Sequence, residues 1–150
     1  MRPKAAIMAL FRERGMRMTP QRERVIEVLS RAPAHPTAED IWKAVRTDLP
    51  TISFKTIYEI LHELVALGEL KQLNLGTGSS RYEAADLNHH HFVCVSCGEV
   101  SNSDENPEQA ELPQTADGSF IVTGVEVVYR GVCSRCQAGR TASEVPAFNT

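Results

Sequence analysis

All four cysteines of the chain fall into two Cys-x-x-Cys pairs, Cys94/Cys97 and Cys133/Cys136. A Cys-x-x-Cys turn aims two thiolates at one point, and two such turns complete the tetrahedral sulfur set that structural zinc takes. The 35 residues between Cys97 and Cys133 exceed the roughly 15–20 of a simple zinc ribbon, so a folded element is expected between the two turns. Disulfides or a redox pair are the rival readings. No thioredoxin-like βαβ pattern surrounds either pair, and a cytosolic chain keeps its thiols reduced. A zinc site suits the chain's size as well, because 150 residues make one ordinary domain or two very small ones whose cores exclude little apolar surface. Zinc of this kind contributes about 10–16 kcal/mol in small peptides.

The expected compartment is the cytoplasm. The opening residues MRPKAAIMALFRERG hold no sustained apolar run followed by a cleavage site, and no stretch approaches the roughly 18 apolar residues of a membrane span. A net charge of −3 argues against a nucleic-acid partner only until the charges are located. Residues 1–82 carry 13 Lys+Arg against 9 Asp+Glu, a balance of +4, whereas residues 83–150 carry 3 against 10, a balance of −7. Such asymmetry points to two tasks. The first 24 residues are the most basic, with Arg2, Lys4, Arg12, Arg14, Arg17, Arg22 and Arg24 against Glu13 and Glu23. A solvated helix face explains such a run equally well, so it supports DNA binding only together with a fold.

Helix signals follow in quick succession. Thr19-Pro20 pairs a capping hydroxyl with a proline suited to the first helical position, and that helix is expected to run to about Ala32 with Val25, Val28 and Leu29 inward. A second starts at Thr37, with Asp40 completing a capping box, and should close near Leu49 at Pro50. After a short link, Ser53 caps a third, in which Ile57, Ile60, Leu61, Leu64 and Leu67 fit the helical repeat and Gly68 stops it. Glu69 to Leu75 then reads as a strand, residues 76–80 as a turn and Arg81 to Ala84 as a returning strand. Helix-turn-helix plus hairpin is a winged helix. With its apolar face in the core, the recognition helix leaves Ser53, Lys55, Thr56, Tyr58 and Glu59 toward DNA. Lys55 suits phosphate, while Ser53, Thr56 and Tyr58 offer modest base discrimination, so a dimer must add specificity. Tyr58 reads equally well as a partly buried aromatic. Arg17 and Arg22 are placed to reach phosphate or an A·T-rich minor groove.

Ahead of the first cysteine pair stands Asn88-His89-His90-His91. On a strand, His89 and His91 point to one side and His90 to the other. Two imidazoles are half a metal site, and Glu83 and His35 are the candidates to complete it, a nitrogen and oxygen set that suits iron, manganese, nickel or a second zinc. A polar strand end is the plainer alternative.

The segments G-M-R-M-T-P-Q-R at 15–22, H-P-T-A-E-D-I at 35–41, S-F-K-T-I-Y at 53–58, R-Y-E at 81–83, H-H-H-F-V-C-V-S-C-G at 89–98 and C-S-R-C at 133–136 together resemble the ferric uptake regulator (Fur) family of bacterial metalloregulators, including its peroxide-sensing (PerR-like) branch. The resemblance implies an α+β chain: an N-terminal winged helix-turn-helix and a small C-terminal α/β dimerisation domain with a four-cysteine zinc site. The boundaries expected are 1–84 for the DNA-binding domain, 85–88 for a hinge, 89–140 for the dimerisation domain and 141–150 for a flexible tail. Cys94, Cys97, Cys133 and Cys136 match structural zinc ligands. His35, Glu83, His89 and His91 match regulatory-metal ligands, Arg17 a minor-groove contact and Tyr58 a base-contacting tyrosine. The chain also departs from the family pattern. Asn102 stands where an acidic fifth ligand is usual, with Asp104 as a substitute if the strand shifts. Val125 replaces the histidine of an additional metal site, which is therefore expected to be absent. Glu59 replaces a frequent arginine and should repel phosphate. Residues 103–118, with Pro107 and Pro113, predict a short or missing helix.

The function implied is a metal-dependent repressor, not an enzyme, that binds a pseudo-palindromic double-stranded operator as a homodimer with no membrane partner. Its regulatory ion is expected to be Fe2+ or Mn2+, and peroxide sensing would act through oxidation of His35 or His89. The alternatives are a zinc- or nickel-responsive regulator, a constitutive DNA-binding module with structural zinc only, and a metal-dependent enzyme. For the last, Glu83 is the one nearby carboxylate and is better employed as a ligand.

Overall fold

The computed structural model describes residues 1–86, 89–103, 119, 121 and 126–138. Contacts divide the chain into two units, Met1–Leu87 and Asn88–Thr150.

The first unit holds four helices and a hairpin: α1 (Lys4–Glu13), α2 (Pro20–Arg31), α3 (Ala38–Val45), α4 (Phe54–Ala66), β1 (Leu70–Leu73) and β2 (Arg81–Ala84). Helix α1 occupies a stretch whose basic run is its most visible sequence feature. Ile7 and Phe11, one turn apart on α1, are fully buried and join Val25, Ile26, Ile41, Ile57, Leu61 and Leu64 in one core. Helix α2 begins as its sequence predicts, with Thr19 Oγ1 accepting the Arg22 N–H at 3.3 Å and Pro20 following. The α3 capping box is complete: Asp40 N–H donates to Thr37 Oγ1 at 3.2 Å, and Thr37 N–H to Asp40 Oδ2 at 2.9 Å. Helix α3 ends at Val45 rather than near Leu49: residues 46–48 form a turn in which the Asp48 amide bonds the Val45 carbonyl three residues back, tightening the chain before Pro50. Helix α4 closes with a Schellman turn, in which the Gly68 amide bonds Val65 O, the Glu69 amide bonds Leu64 O, and Gly68 takes φ 71°.

The wing is shorter than the alternation suggests. Strand β1 pairs antiparallel with β2 from Leu70↔Ala84 to Leu73↔Arg81, and Glu69 lies outside the ladder. The Glu69 side chain is 1% exposed and meets Arg2 Nε at 2.5 Å, a pairing that makes its burial tolerable. At the other edge, β2 reaches the segment before α3: Tyr82 N–H donates to Pro36 O at 3.0 Å, and Thr37 bridges Arg81. Tyr82 itself is fully buried in the core.

The second unit contains β3 (His91–Cys94), β4 (Val100–Asn102), β5 (Val128–Gly131) and α5 (Ser134–Gln137). Its sheet order is β4-β3-β5, with β3 antiparallel to β4 and parallel to β5. Parallel strands cannot be joined by a tight hairpin, and antiparallel β4, lying between the cysteine pairs in the chain, carries it back toward the end where β5 starts. Asp104, Val125, most of the segment 103–118, hinge residues 87 and 88, and the tail 141–150 lie outside the described residues. Among the described residues, no helix is long and apolar enough to cross a membrane.

Candidate functional site

The parallel pairing of β3 with β5 places Cys94 opposite Gly131, so the two cysteine turns leave the same end of neighbouring strands. In the first turn, Gly98 N–H donates to Cys94 O at 2.9 Å with Gly98 at φ 71°, a left-handed conformation that glycine takes without strain. In the second, Cys133 caps α5, and Cys136 N–H returns to Cys133 O at 2.9 Å. The four Sγ atoms lie within 4.8 Å of one another. Cys97 and Cys133 are 3.7 Å apart, far from the roughly 2.05 Å of a disulfide and close to the edge of about 3.8 Å expected between sulfurs 2.3 Å from one ion. The local hydrogen bonding separates the thiols. The Cys133 N–H, 3.3 Å from Cys94 Sγ, pulls Cys94 down to about 6, whereas bonds with Cys97 and then Cys133 push Cys136 up to about 12. Cys133 is raised chiefly by Glu99, itself paired with Arg135 at 3.0 Å. Four crowded sulfurs cannot all ionise without a cation among them, and a tetrahedral dication fits this set.

The histidine and carboxylate residues form two pairs, one in each unit. In the first unit the contact of β2 with residues 35–37 carries Glu83 to His35, and Arg81 Nη1 donates to His35 O at 2.9 Å. His35 Nε2 and Glu83 Oε2 are 3.4 Å apart, with side chains 2% and 6% exposed. That is about the separation of two ligands held 2.1 Å from one tetrahedral ion. His35 has φ 58°, the one positive value at a non-glycine residue among those described. A histidine held there stores strain of about 1–3 kcal/mol, and such strain concentrates at functional sites.

In the second unit the side chains alternate. His89 and His91 meet edge to face with ring centroids 4.8 Å apart, while His90 turns to Tyr129 at 6.0 Å. Asn102 is the register partner of His91 across β3 and β4, so the two share a face.

The exposed face of α4 presents Ser53, Lys55, Tyr58 and Glu59 as the sequence suggests, with Thr56 half-buried. Ser53 Oγ caps the helix by accepting the Thr56 N–H at 3.0 Å and shares a second bond with Thr56 Oγ1. Lys55 Nζ sits 3.6 Å from Glu59 Oε1. Sequence reasoning missed the aromatic row Trp42, Phe54, Tyr58 and His62, in edge-to-face contacts at 5.6, 5.0 and 6.2 Å. Its signal was the i, i+4, i+8 spacing on α4, hidden because Phe54 reads as a core residue. Arg17 is exposed. Arg22 is turned inward: its Nε and Nη2 grip both Glu63 oxygens at 2.8 and 2.6 Å, Nη1 donates to Arg17 O, and the guanidinium lies 5.3 Å from the Phe11 ring centroid. Glu63 holds that guanidinium more firmly protonated than usual.

A winged helix-turn-helix followed by a small α/β unit with a four-cysteine metal site defines a DNA-binding regulator. The ferric uptake regulator family model matches residues 13–130, and the chain belongs to that family, whose members are DNA-binding transcriptional regulators rather than enzymes. The chain is 36% identical over 132 residues to the peroxide-responsive repressor PerR of Staphylococcus aureus, covering 87% of this chain and 88% of that protein. Among solved structures, the Helicobacter pylori ferric uptake regulator Fur, described as having three functional metal binding sites, aligns with TM-score 0.70 at 25% identity, covering 89% of this chain and 90% of that one. The ferric uptake regulator of Pseudomonas aeruginosa with manganese aligns with TM-score 0.66 at 26% identity over 84% of this chain and 96% of that one.

Proposed function

We propose that this protein is a metal-dependent repressor that binds a pseudo-palindromic DNA operator as a homodimer. Residues 1–84 read DNA, 85–88 act as the hinge and 89–140 form the dimerisation domain. The regulatory ligands are His35 and Glu83 from the first unit and His89 and His91 from the second, with Asn102 or Asp104 as a fifth. The observation that carries this reading is the buried His35 and Glu83 pair, 3.4 Å apart on a strained backbone. A nitrogen and oxygen donor set accommodates Fe2+ or Mn2+, the regulatory ions of this reading, while Cys94, Cys97, Cys133 and Cys136 hold structural Zn2+. An ion bound more tightly in one arrangement of the units shifts the population toward it, and two recognition helices one DNA turn apart then fit the operator.

On DNA, Tyr58 and Phe54 suit thymine methyl groups and Arg17 an A·T-rich minor groove. Lys55 suits phosphate, and its pairing with Glu59 offsets the repulsion that Glu59 alone would cause. The Ser53 and Thr56 hydroxyls stand at the helix N-terminus, where phosphate binds well.

Peroxide response is the finer reading, favoured by the 36% identity to the peroxide-responsive repressor. The chemistry a bound ferrous ion supplies is one-electron reduction of peroxide beside the imidazoles. The deciding experiment measures duplex binding with iron, manganese, zinc or nickel added singly to zinc-stapled protein, then treats the iron sample with peroxide. Metal-dependent binding lost on His89→Ala is expected, with oxygen added to peptides containing His35 or His89 after peroxide. Binding indifferent to a second metal and to His89→Ala would leave a constitutive module with structural zinc only.

A further inference from the structure

We infer that Arg22 is a positioning residue of the DNA-binding surface, not a DNA contact, and that with Glu63 it sets where Arg17 stands relative to the recognition helix. The inference rests on the DNA-binding reading above. One guanidinium joins four parts of the first unit. It makes a two-pronged bond to Glu63 on α4, donates to the Arg17 carbonyl in the link between α1 and α2, stacks over Phe11 of α1, and belongs to the first turn of α2. With its side chain 19% exposed, three of its donors are already taken by Glu63 and the Arg17 carbonyl.

The link it holds is short: Gly15 N–H reaches Arg12 O and Met16 N–H reaches Phe11 O at its start, Met16 and Met18 pack against the core, and Thr19 caps α2 at its end. Arg22 Nη1 is the side-chain donor that fixes the Arg17 carbonyl itself. Arg17 follows with its side chain exposed. Glu63 lies one turn beyond Glu59 and next to His62 on the helix that also carries Lys55 and Tyr58. A minor-groove arginine and a major-groove helix must match a spacing set by the DNA, so the tether between them is part of specificity. Arginine is needed because a planar fork can grip both carboxylate oxygens and still donate elsewhere, which an ammonium cannot reproduce.

The sign of one substitution separates this role from a direct phosphate contact. A phosphate-binding Arg22 would be freed by Glu63→Gln, leaving DNA affinity unchanged or higher. A positioning Arg22 loses its anchor, and affinity falls. The experiment uses the full-length protein with zinc and added manganese, and a duplex that the wild type selects from a randomised pool. Thermal unfolding and zinc content are followed alongside, and Glu63→Asp serves as the milder variant if Glu63→Gln unfolds.

The expected result is at least a fivefold loss of affinity in the folded Glu63 variant, with weakened protection of the minor groove flanking the site. Arg17→Ala should cost little further in that background, because the two changes act through one contact. Equal or tighter binding by the Glu63 variant, or full additivity with Arg17→Ala, overturns the inference while leaving the repressor reading intact. Failure of the wild type to select any duplex overturns both.

Discussion

The two units of this chain are stabilised by different physics. Met1–Leu87 is held by apolar packing: α1 to α4 and the hairpin bury Phe11, Ile57, Leu61, Leu64 and Tyr82 to zero exposure. Among the described residues of the second unit, only Val93 and Cys94 count as buried apolar side chains. Its three strands converge instead on four sulfurs. A sheet whose described residues bury so little apolar surface is the kind that draws its stability from an ion, as the packed helical unit does not.

The sharpest way to break that comparison is to remove zinc. Cys133→Ser, or chelation, should abolish the order of the second unit, a loss on the order of 10 kcal/mol by analogy with zinc peptides. The helical signal of the first unit should persist. Circular dichroism with zinc quantitation reads this, and one shared unfolding transition would contradict the division. The converse is Phe11→Ala, expected to cost about 3–5 kcal/mol in the first unit while zinc stoichiometry stays the same. Denaturant unfolding of zinc-loaded protein checks it, and an effect near zero would remove α1 from the core.

Smaller effects sharpen the picture within the helical unit. Ser53→Ala deletes the cap of α4 and should lower stability by about 1 kcal/mol, visible as a modest shift of the same transition. The smallest effect is acid sensitivity at Asp40. The Thr37 hydroxyl and then the Thr37 amide hold its carboxyl below its ordinary value, so it stabilises the fold above that ordinary value. The contribution should vanish as pH falls through the depressed value. Asp40→Asn should flatten the acid limb of the stability profile, and an unchanged limb would exclude the capping box as its source.

Local signals made much of this legible in advance. Thr19, Thr37 and Ser53 marked three helix starts because a hydroxyl before an apolar repeat leaves few alternatives, and Gly68 marked the end of α4. The cysteine pairs announced a sulfur site, and the alternation of His89, His90 and His91 foretold which rings would separate. Helix α1 was obscured because residues 5–11 are apolar without interruption, a run that shows no helical period, although only Ile7 and Phe11 are buried. Glu69 read as a strand residue because nothing nearby in the sequence reveals Arg2 as its partner.

What residue order alone determined was the chain's repertoire: capped helices, a wing, two thiol turns, an imidazole cluster and the charge imbalance between halves. These depend on neighbours a few positions apart, whose geometry is set by backbone hydrogen bonds. Tertiary structure alone decided the long-range choices. It turned Arg22 toward Glu63 across 41 positions, brought Glu83 to His35 through a strand edge, and ran β5 parallel to β3 so that distant cysteines meet. Such contacts are selected by which packing can bury apolar surface while pairing distant polar groups, a condition on the folded whole that no short stretch of sequence contains.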